Sequence, residues 1–344
     1  MSEANAGDPV SSRMRGPGAA RRGMSELEAM VTAEGHPGSG PGADNGSFIE
    51  PGQAAEVVPA RARSLAGDAW RDLRRSPIFW IAGFLVLLLV TMAVVPRLFT
   101  SINPRACDLS QSLEPPSAAH WFGTNLQGCD VYSRTIYGAR ASIAVGICST
   151  LLAGLIAVLI GMSGGYFGGK LDAVLSRVLD IVLGIPLLLA AIVFGRSVAA
   201  ETDLGIWPVV LVLGVLGWTT AARVIRSSVI AAKQQDYVQA ARMLGAGNSR
   251  ILLRHILPNA LAPMIVVLTI ALGAFIATEA TLSFLGAGLK PPTISWGIDI
   301  SDAQARFQDA PWALLFPAAF LALTVLAFIM LGDAVREAFD PRLR

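Results

Sequence analysis

The residues able to do chemistry in this chain are few and scattered. Its three histidines, His36, His120 and His255, stand far apart, with no cysteine or carboxylate at metal-ligand spacing around them. No Ser-His-Asp set can be assembled from residues expected on a common side of a membrane. There is no G-x-x-x-x-G-K-[ST] loop to cradle phosphates, so the chain is not expected to hydrolyse ATP itself. No basic-aromatic pattern points to nucleic acid. Asp180 and Glu279 are the two ionisable residues near or within apolar runs. A charge at membrane depth is costly and faces a cavity or a partner. Asp180 sits near the start of its run and can reach the interface. Glu279 either lines a pathway or ties two helices together.

One polar stretch has a legible local design: Gln235-Asp236-Tyr237-Val238-Gln239-Ala240-Ala241-Arg242-Met243-Leu244-Gly245-Ala246. Asp236 can cap a helix and Gln239 can return the bond, the pattern of a capping box. Tyr237, Ala240, Ala241 and Leu244 fall at i, i+3, i+4 and i+7 and so share a face. The two alanines keep that face shallow, which lets another surface approach closely. Gly245 and Gly247 supply a stop. Ser249 can cap a second helix, Arg250 to Leu257, and Pro258 suits the first turn of the next. The same pattern also describes an amphipathic helix lying on a membrane surface.

The elements that position these residues are set by composition. The chain has 344 residues, of which 53% are hydrophobic and only 15% charged. That is too apolar for a soluble domain of this size. Six runs of spanning length are expected: Pro77–Phe99, Ser142–Met162, Val178–Phe194, Ile206–Val224, Ala260–Phe284 and Trp312–Leu331. The fold class is therefore all-α, with six transmembrane helices and both ends on one side. Arginine and lysine choose the side. Arg61, Arg63, Arg71, Arg74 and Arg75 precede the first run, and Arg223, Arg226, Lys233, Arg242, Arg250 and Arg254 crowd the fourth-to-fifth loop. The opposite loops are poorer. The positive-inside rule puts the N and C termini and the polar stretch in the cytoplasm. Pro186 and Pro317 are expected to kink their helices.

Residues 1–70 are read as a cytoplasmic N-terminal tail, disordered because Gly, Ala, Pro and Ser dominate it without a periodic apolar face. Residues 71–344 form the transmembrane domain. The tail is not read as a signal peptide, since the first apolar run begins only near Pro77 and has no cleavage site behind it. Cys148, inside the second run, is expected to be a small packing residue. Cys107 and Cys129 fall together in the first outside loop, a compartment that permits disulfides. They form either a bridge closing a loop of roughly 20 residues, worth about 3 kcal/mol, or two free thiols.

Three blocks carry a family resemblance. Gln239-Ala240-Ala241, then Gly245, then Ile256-Leu257-Pro258 resembles the "EAA" loop of binding-protein-dependent ABC importer permeases. Gln239 replaces the family's usual Glu. His120-Trp121-Phe122-Gly123-Thr124-Asn125 through Gly128-Cys129-Asp130 to Ser133-Arg134 resembles the H-x-F-G-T-D-x-x-G-R-D-x-x-S-R loop of dipeptide, oligopeptide and nickel-type permeases. It departs at Asn125 and Cys129, each a lost charge. Read without the family, Asp130, Ser133 and Arg134 could fix this loop by charge-assisted hydrogen bonds. Glu279-Ala280-Thr281-Leu282-Ser283-Phe284-Leu285-Gly286 with Pro291-Pro292 and Trp296-Gly297 is similar to a third block of the same family. Arg177 to Asp180 with Gly184-Ile185-Pro186 also fits. The resemblance spans roughly residues 70–340 and is specific to the C-type permease.

The resemblance implies a type I ABC importer permease fold in the plasma (inner) membrane, surrounded by lipid. It makes Asp236, Tyr237, Gln239, Ala240, Ala241, Arg242, Gly245 and Ala246 a coupling helix that docks an ATPase. The implied partners are a second permease subunit, two ATP-binding subunits that carry ATP and Mg, and an extracellular substrate-binding protein delivering peptide near residues 101–140 and 287–311. No cofactor is expected in this chain. Alternating access driven by ATP in the partners is the implied mechanism. The alternatives are a permease for nickel complexes or for other small peptides such as glutathione, a self-sufficient secondary transporter, and a membrane-embedded enzyme.

Overall fold

A computed structural model describes residues 65–201 and 205–339. The expected tail up to residue 64 lies outside the described residues, as do Arg61 and Arg63. Residues 65–70 open a helix, α1, Leu65–Arg75. Among the described residues the fold is all-α, with only two isolated β-bridges, Cys107 with Cys129 and Thr124 with Asp130. The helices that follow are α2, Pro77–Val94; α3, Val131–Phe167; α4, Gly169–Gly184; and α5, Leu187–Glu201. Then come α6, Trp207–Leu216; α7, Thr219–Lys233; and α8, Asp236–Met243. Last are α9, Asn248–Phe284; α10, Trp296–Ala303; and α11, Pro311–Phe339.

Four of these, α2, α3, α9 and α11, are long and apolar enough to cross a membrane. The count becomes six if each of two bent pairs is one span; the bend of the first pair falls at Pro186, where a kink is expected, and that of the second was not expected. The first pair, α4 and the Leu187–Gly195 part of α5, turns by 83°. Pro186 lacks an N–H to continue the ladder, and it drives Ile185 to ψ 122°, outside the helical region. The second pair, α6 and α7, turns by 43° at Gly217 and Trp218. A Cβ on Gly217 would meet the Phe275 ring at 2.4 Å, so the bend sits where α9 presses in. Pro317 lies within the unbroken α11, and Pro263 within α9.

Helix α3 is the axis of the bundle and runs 37 residues, well beyond the expected Ser142–Met162. It starts early because the Asp130 carboxylate accepts from Ser133 N at 2.7 Å, a side-chain cap. It ends late because its glycines serve packing. A Cβ on Gly161 would stand 2.6 Å from Ala222 O, and one on Gly165 2.8 Å from Arg226 O. Small residues therefore let α7 lie directly against α3. Val145, Ala153, Ala157, Ile225, Val229 and Ile256 are fully buried in the cluster that α3 centres. At about 1.5 Å per residue such a helix is long enough to cross a bilayer and reach past both faces.

Candidate functional site

The C-terminal end of α3 carries Tyr166, which is buried. Its backbone carbonyl accepts from Lys233 Nζ at 2.6 Å, and the same ammonium stands 5.5 Å from the centre of its ring. Its hydroxyl donates to Asn248 Oδ1 at 2.8 Å. Lys233 is the last residue of α7 and Asn248 the first of α9. Both flanks of the intervening segment, residues 234–247, are thus tied to one residue of α3, Tyr166.

That segment holds α8. Gln235, not Asp236, precedes the helix as its cap, and no side chain bonds the first turn. The capping-box expectation fails because Gln239 turns back instead, its Nε2 donating to Lys233 O at 3.3 Å. Val238 is fully buried against the core, with Ile251 and Ile256 in the same cluster. The helix stops as a glycine-terminated C-cap does. Gly245 adopts φ +79°, and Ala246 N reaches back to Ala241 O at 3.0 Å.

Of the face read from spacing, Tyr237, Ala240 and Leu244 are exposed. Ala241 is half-buried, and Tyr237 leans toward the next helix, where its hydroxyl accepts from Asn259 Nδ2 at 2.9 Å. Asp236, Gln239, Ala240, Arg242 and Gly245 are exposed and Ala246 is half-buried. The bare apolar surface is Met243 and Leu244, 84% and 88% exposed, with Leu244 one residue past the helix end. Met243 lies outside the i, i+3, i+4, i+7 pattern, whose last member, Leu244, falls one residue past the helix end. The expected second helix from Arg250 begins instead at Asn248, with Gly247 as its cap and Ser249 inside. It runs through a π-helical turn, Ile251–Ile256, straight into the apolar part of α9.

The opposite end of α3 is knit tightly. Cys107 and Cys129 are joined as a disulfide. Asp130 faces His120 Nδ1 at 2.9 Å, and Ser133 Oγ donates to Ile102 O at 2.7 Å. Arg134 pairs with Asp299 of α10, both largely buried, a partner 165 positions away. Burial pushes the Asp299 carboxyl upward; Arg134 opposes the shift without cancelling it. The Trp296 indole donates to Thr135 O at 2.8 Å.

Asp180 pairs with Arg223 at 3.4 Å, with both side chains more than half exposed, so the contact contributes little. A stronger pair that the sequence reading overlooked lies nearby. Asp172 takes both Arg226 nitrogens, at 2.5 and 2.6 Å, and so joins α4 to α7. Glu279 is fully buried. Its Oε1 accepts from Ser283 Oγ at 2.9 Å, and the hydroxyls of Ser142 and Ser295 also approach. Serines of α9, α3 and the α10 cap surround it, while its Oε2 is buried with no hydrogen-bond partner. Cys148 is a free, half-buried thiol of α3. Among the described residues no group of three or more His, Cys, Asp or Glu could hold a metal.

A bundle of spans around one long helix, with a short pinned helix protruding between two of them, defines a membrane permease subunit. The chain belongs to the family described as binding-protein-dependent transport system inner membrane component, whose model matches residues 153–344. Residues 64–116 match the N-terminal TM domain of oligopeptide transport permease C. The chain is 35% identical over 302 residues to the oligopeptide transport system permease protein OppC of Bacillus subtilis, across 87% of this chain and 98% of that one. It is 36% identical over 296 residues to the dipeptide transport system permease protein DppC of the same organism, across 86% and 91%. It is 37% identical over 289 residues to the glutathione transport system permease protein GsiD of Salmonella typhimurium, across 84% and 94%. It is a multi-pass inner-membrane permease subunit of an ABC importer.

Proposed function

We propose that this permease carries di- and oligopeptides, with ATP and Mg held and ATP hydrolysed by two partner subunits rather than by this chain. The single observation that carries the motor reading is the pinned helix α8. Its buried Val238 seats it on the bundle, its two flanks converge on Tyr166, and Met243 and Leu244 remain bare. A surface so held, and so exposed, suits docking to an ATP-binding subunit. Closure of that subunit on ATP moves α8, and Tyr166 passes the movement into α3 rather than letting it dissipate in a loop. Net work enters as the difference in ATP affinity between two states of the complex.

The N and C termini and α8 face the cytoplasm in this reading, since arginine and lysine crowd that side. A second permease completes the pathway, and an extracellular binding protein delivers substrate to residues 101–140 and 287–311. The peptide class is supported by relatives named for oligopeptide, dipeptide and glutathione transport, glutathione itself being a small peptide. The test is uptake into proteoliposomes that hold the whole complex and enclose ATP. Peptide uptake that needs ATP, the binding protein and this chain is the expected result. Binding-protein-driven uptake of nickel complexes with no response to peptide would contradict it.

A further inference from the structure

On the side of the bundle that carries the disulfide, a cavity of about 970 Å³ opens between the segment after α2, the first turns of α3 and the loop before α10. That volume lies within the range of small-molecule sites, about 300–1,000 Å³. Its lining includes three guanidinium groups, Arg97, Arg105 and Arg140, and, among the described residues, no Asp or Glu. Among the described residues none of the three has a carboxylate partner, whereas Arg134, Arg223, Arg226 and Arg306 all do. Arg140 is spoken for structurally, donating to the last carbonyls of α2, Ala93 O at 3.0 Å and Val94 O at 3.1 Å. Arg105 uses one nitrogen on Pro292 O at 3.2 Å and, among the described residues, keeps its other donors free. Among the described residues the Arg97 side chain has no hydrogen-bond or ion-pair partner.

We infer that this cavity is a carboxylate site, and that the group it takes is the C-terminal carboxylate of the peptide being carried. The inference rests on the peptide reading above. Cations of one sign in a concave, partly apolar pocket focus field and raise the local concentration of anions. Guanidinium forks match a carboxylate in two bonds at once. The terminal carboxylate is the charged group that every unblocked peptide shares whatever its side chains, so a permease that accepts varied sequences gains from reading it. Asn103 and Tyr137 line the same cavity and offer amide and hydroxyl partners to the peptide backbone beside it.

The test uses the complete importer in phosphatidylcholine proteoliposomes, with one binding protein throughout, and compares uptake of trialanine with that of trialanine amide. The variant is Arg97→Gln with Arg105→Gln; Arg140 is kept because it caps α2. The preference of the binding protein itself is common to wild type and variant, so it cancels from the change in the acid-to-amide ratio of kcat/KM. The expected result is a fall of about tenfold in that ratio, the size of one lost charge-assisted bond. The Arg97→Lys, Arg105→Lys variant should recover much of it. Equal losses for acid and amide, or no loss for either, would overturn the proposal. So would a fall seen only when phosphatidylglycerol is added, since the occupant would then be a lipid headgroup. A wild type that takes up neither peptide would overturn the peptide reading and this site with it.

Discussion

At its N-terminal end α3 starts from a disulfide-closed loop, an aspartate cap and an ion pair to α10, whereas at its C-terminal end it holds one exposed helix by two bonds from a single tyrosine. The first end is redundant: Cys129, Asp130 and Ser133 bond Cys107, His120 and Ile102 of the preceding loop, and Arg134 bonds Asp299 of α10, so losing one leaves the others in place. The second end is economical. Besides Val238, α8 depends on Lys233, Gln239, Asn248 and the Gly245 stop, and most of its surface is bare. A region built to keep its shape ties its polar groups to one another, although Asp299 Oδ2 is left without a partner, while one built to receive a partner leaves surface for that partner to cover. Changes at the first end should therefore register as stability, and changes at the second as coupling.

The sharpest break should come from Asp299→Ala, which leaves Arg134 in a largely buried place without its partner. A loss of about 3–5 kcal/mol is expected, read as a lower Tm of the detergent-solubilised protein. Unchanged melting would mean that this pair does not hold α10 to α3. Cys129→Ser comes next, at about 3 kcal/mol from the loop entropy restored to the unfolded chain. Reductant should lower the Tm of the wild type to match and leave the variant alone. Gly245→Val forces a branched side chain into φ +79°, a strain of about 1–2 kcal/mol confined to the α8 stop. ATP hydrolysis should persist while uptake falls, with melting little changed; normal uptake would remove α8 from the coupling path. The smallest effect is Tyr166→Phe, which deletes the bond to Asn248 for about 1 kcal/mol. Its expected signature is more ATP spent per peptide carried, and a variant as tightly coupled as wild type would show that the Lys233 bond alone suffices.

Much of the bundle was legible because membrane physics leaves few options. Apolar runs of spanning length marked the helices, and Pro186 marked a bend, though its 83° was hidden from a reading that sees only length and composition. The Gly217 bend was invisible, since it depends on Phe275 arriving from α9. At the site, the α8 stop at Gly245 could be read locally. Leu244 was placed on the open face by its spacing, but Met243 was not, because which neighbouring positions stay bare follows from Val238 being claimed by the core. Tyr166, Lys233 and Asn248 are separated by 67 and 82 positions from first to second and first to third, and no pattern at helical spacing links them. A tyrosine among glycines at the end of an apolar run was the available hint. Arg134 was singled out for its charge, but its partner Asp299 needed the fold.

The central claim is that α8 is where an ATP-binding subunit grips this chain, and co-purification tests it most directly. The protein would be tagged and drawn from solubilised membranes as wild type, as Leu244→Asp and as Ala241→Arg. The account predicts that wild type brings down a second permease and ATP-binding subunits, and that Leu244→Asp keeps the permease and loses the ATPase. It predicts a weaker loss for the half-buried Ala241. Full recovery of the ATPase with Leu244→Asp, or recovery of wild type with no nucleotide-binding partner at all, would contradict it.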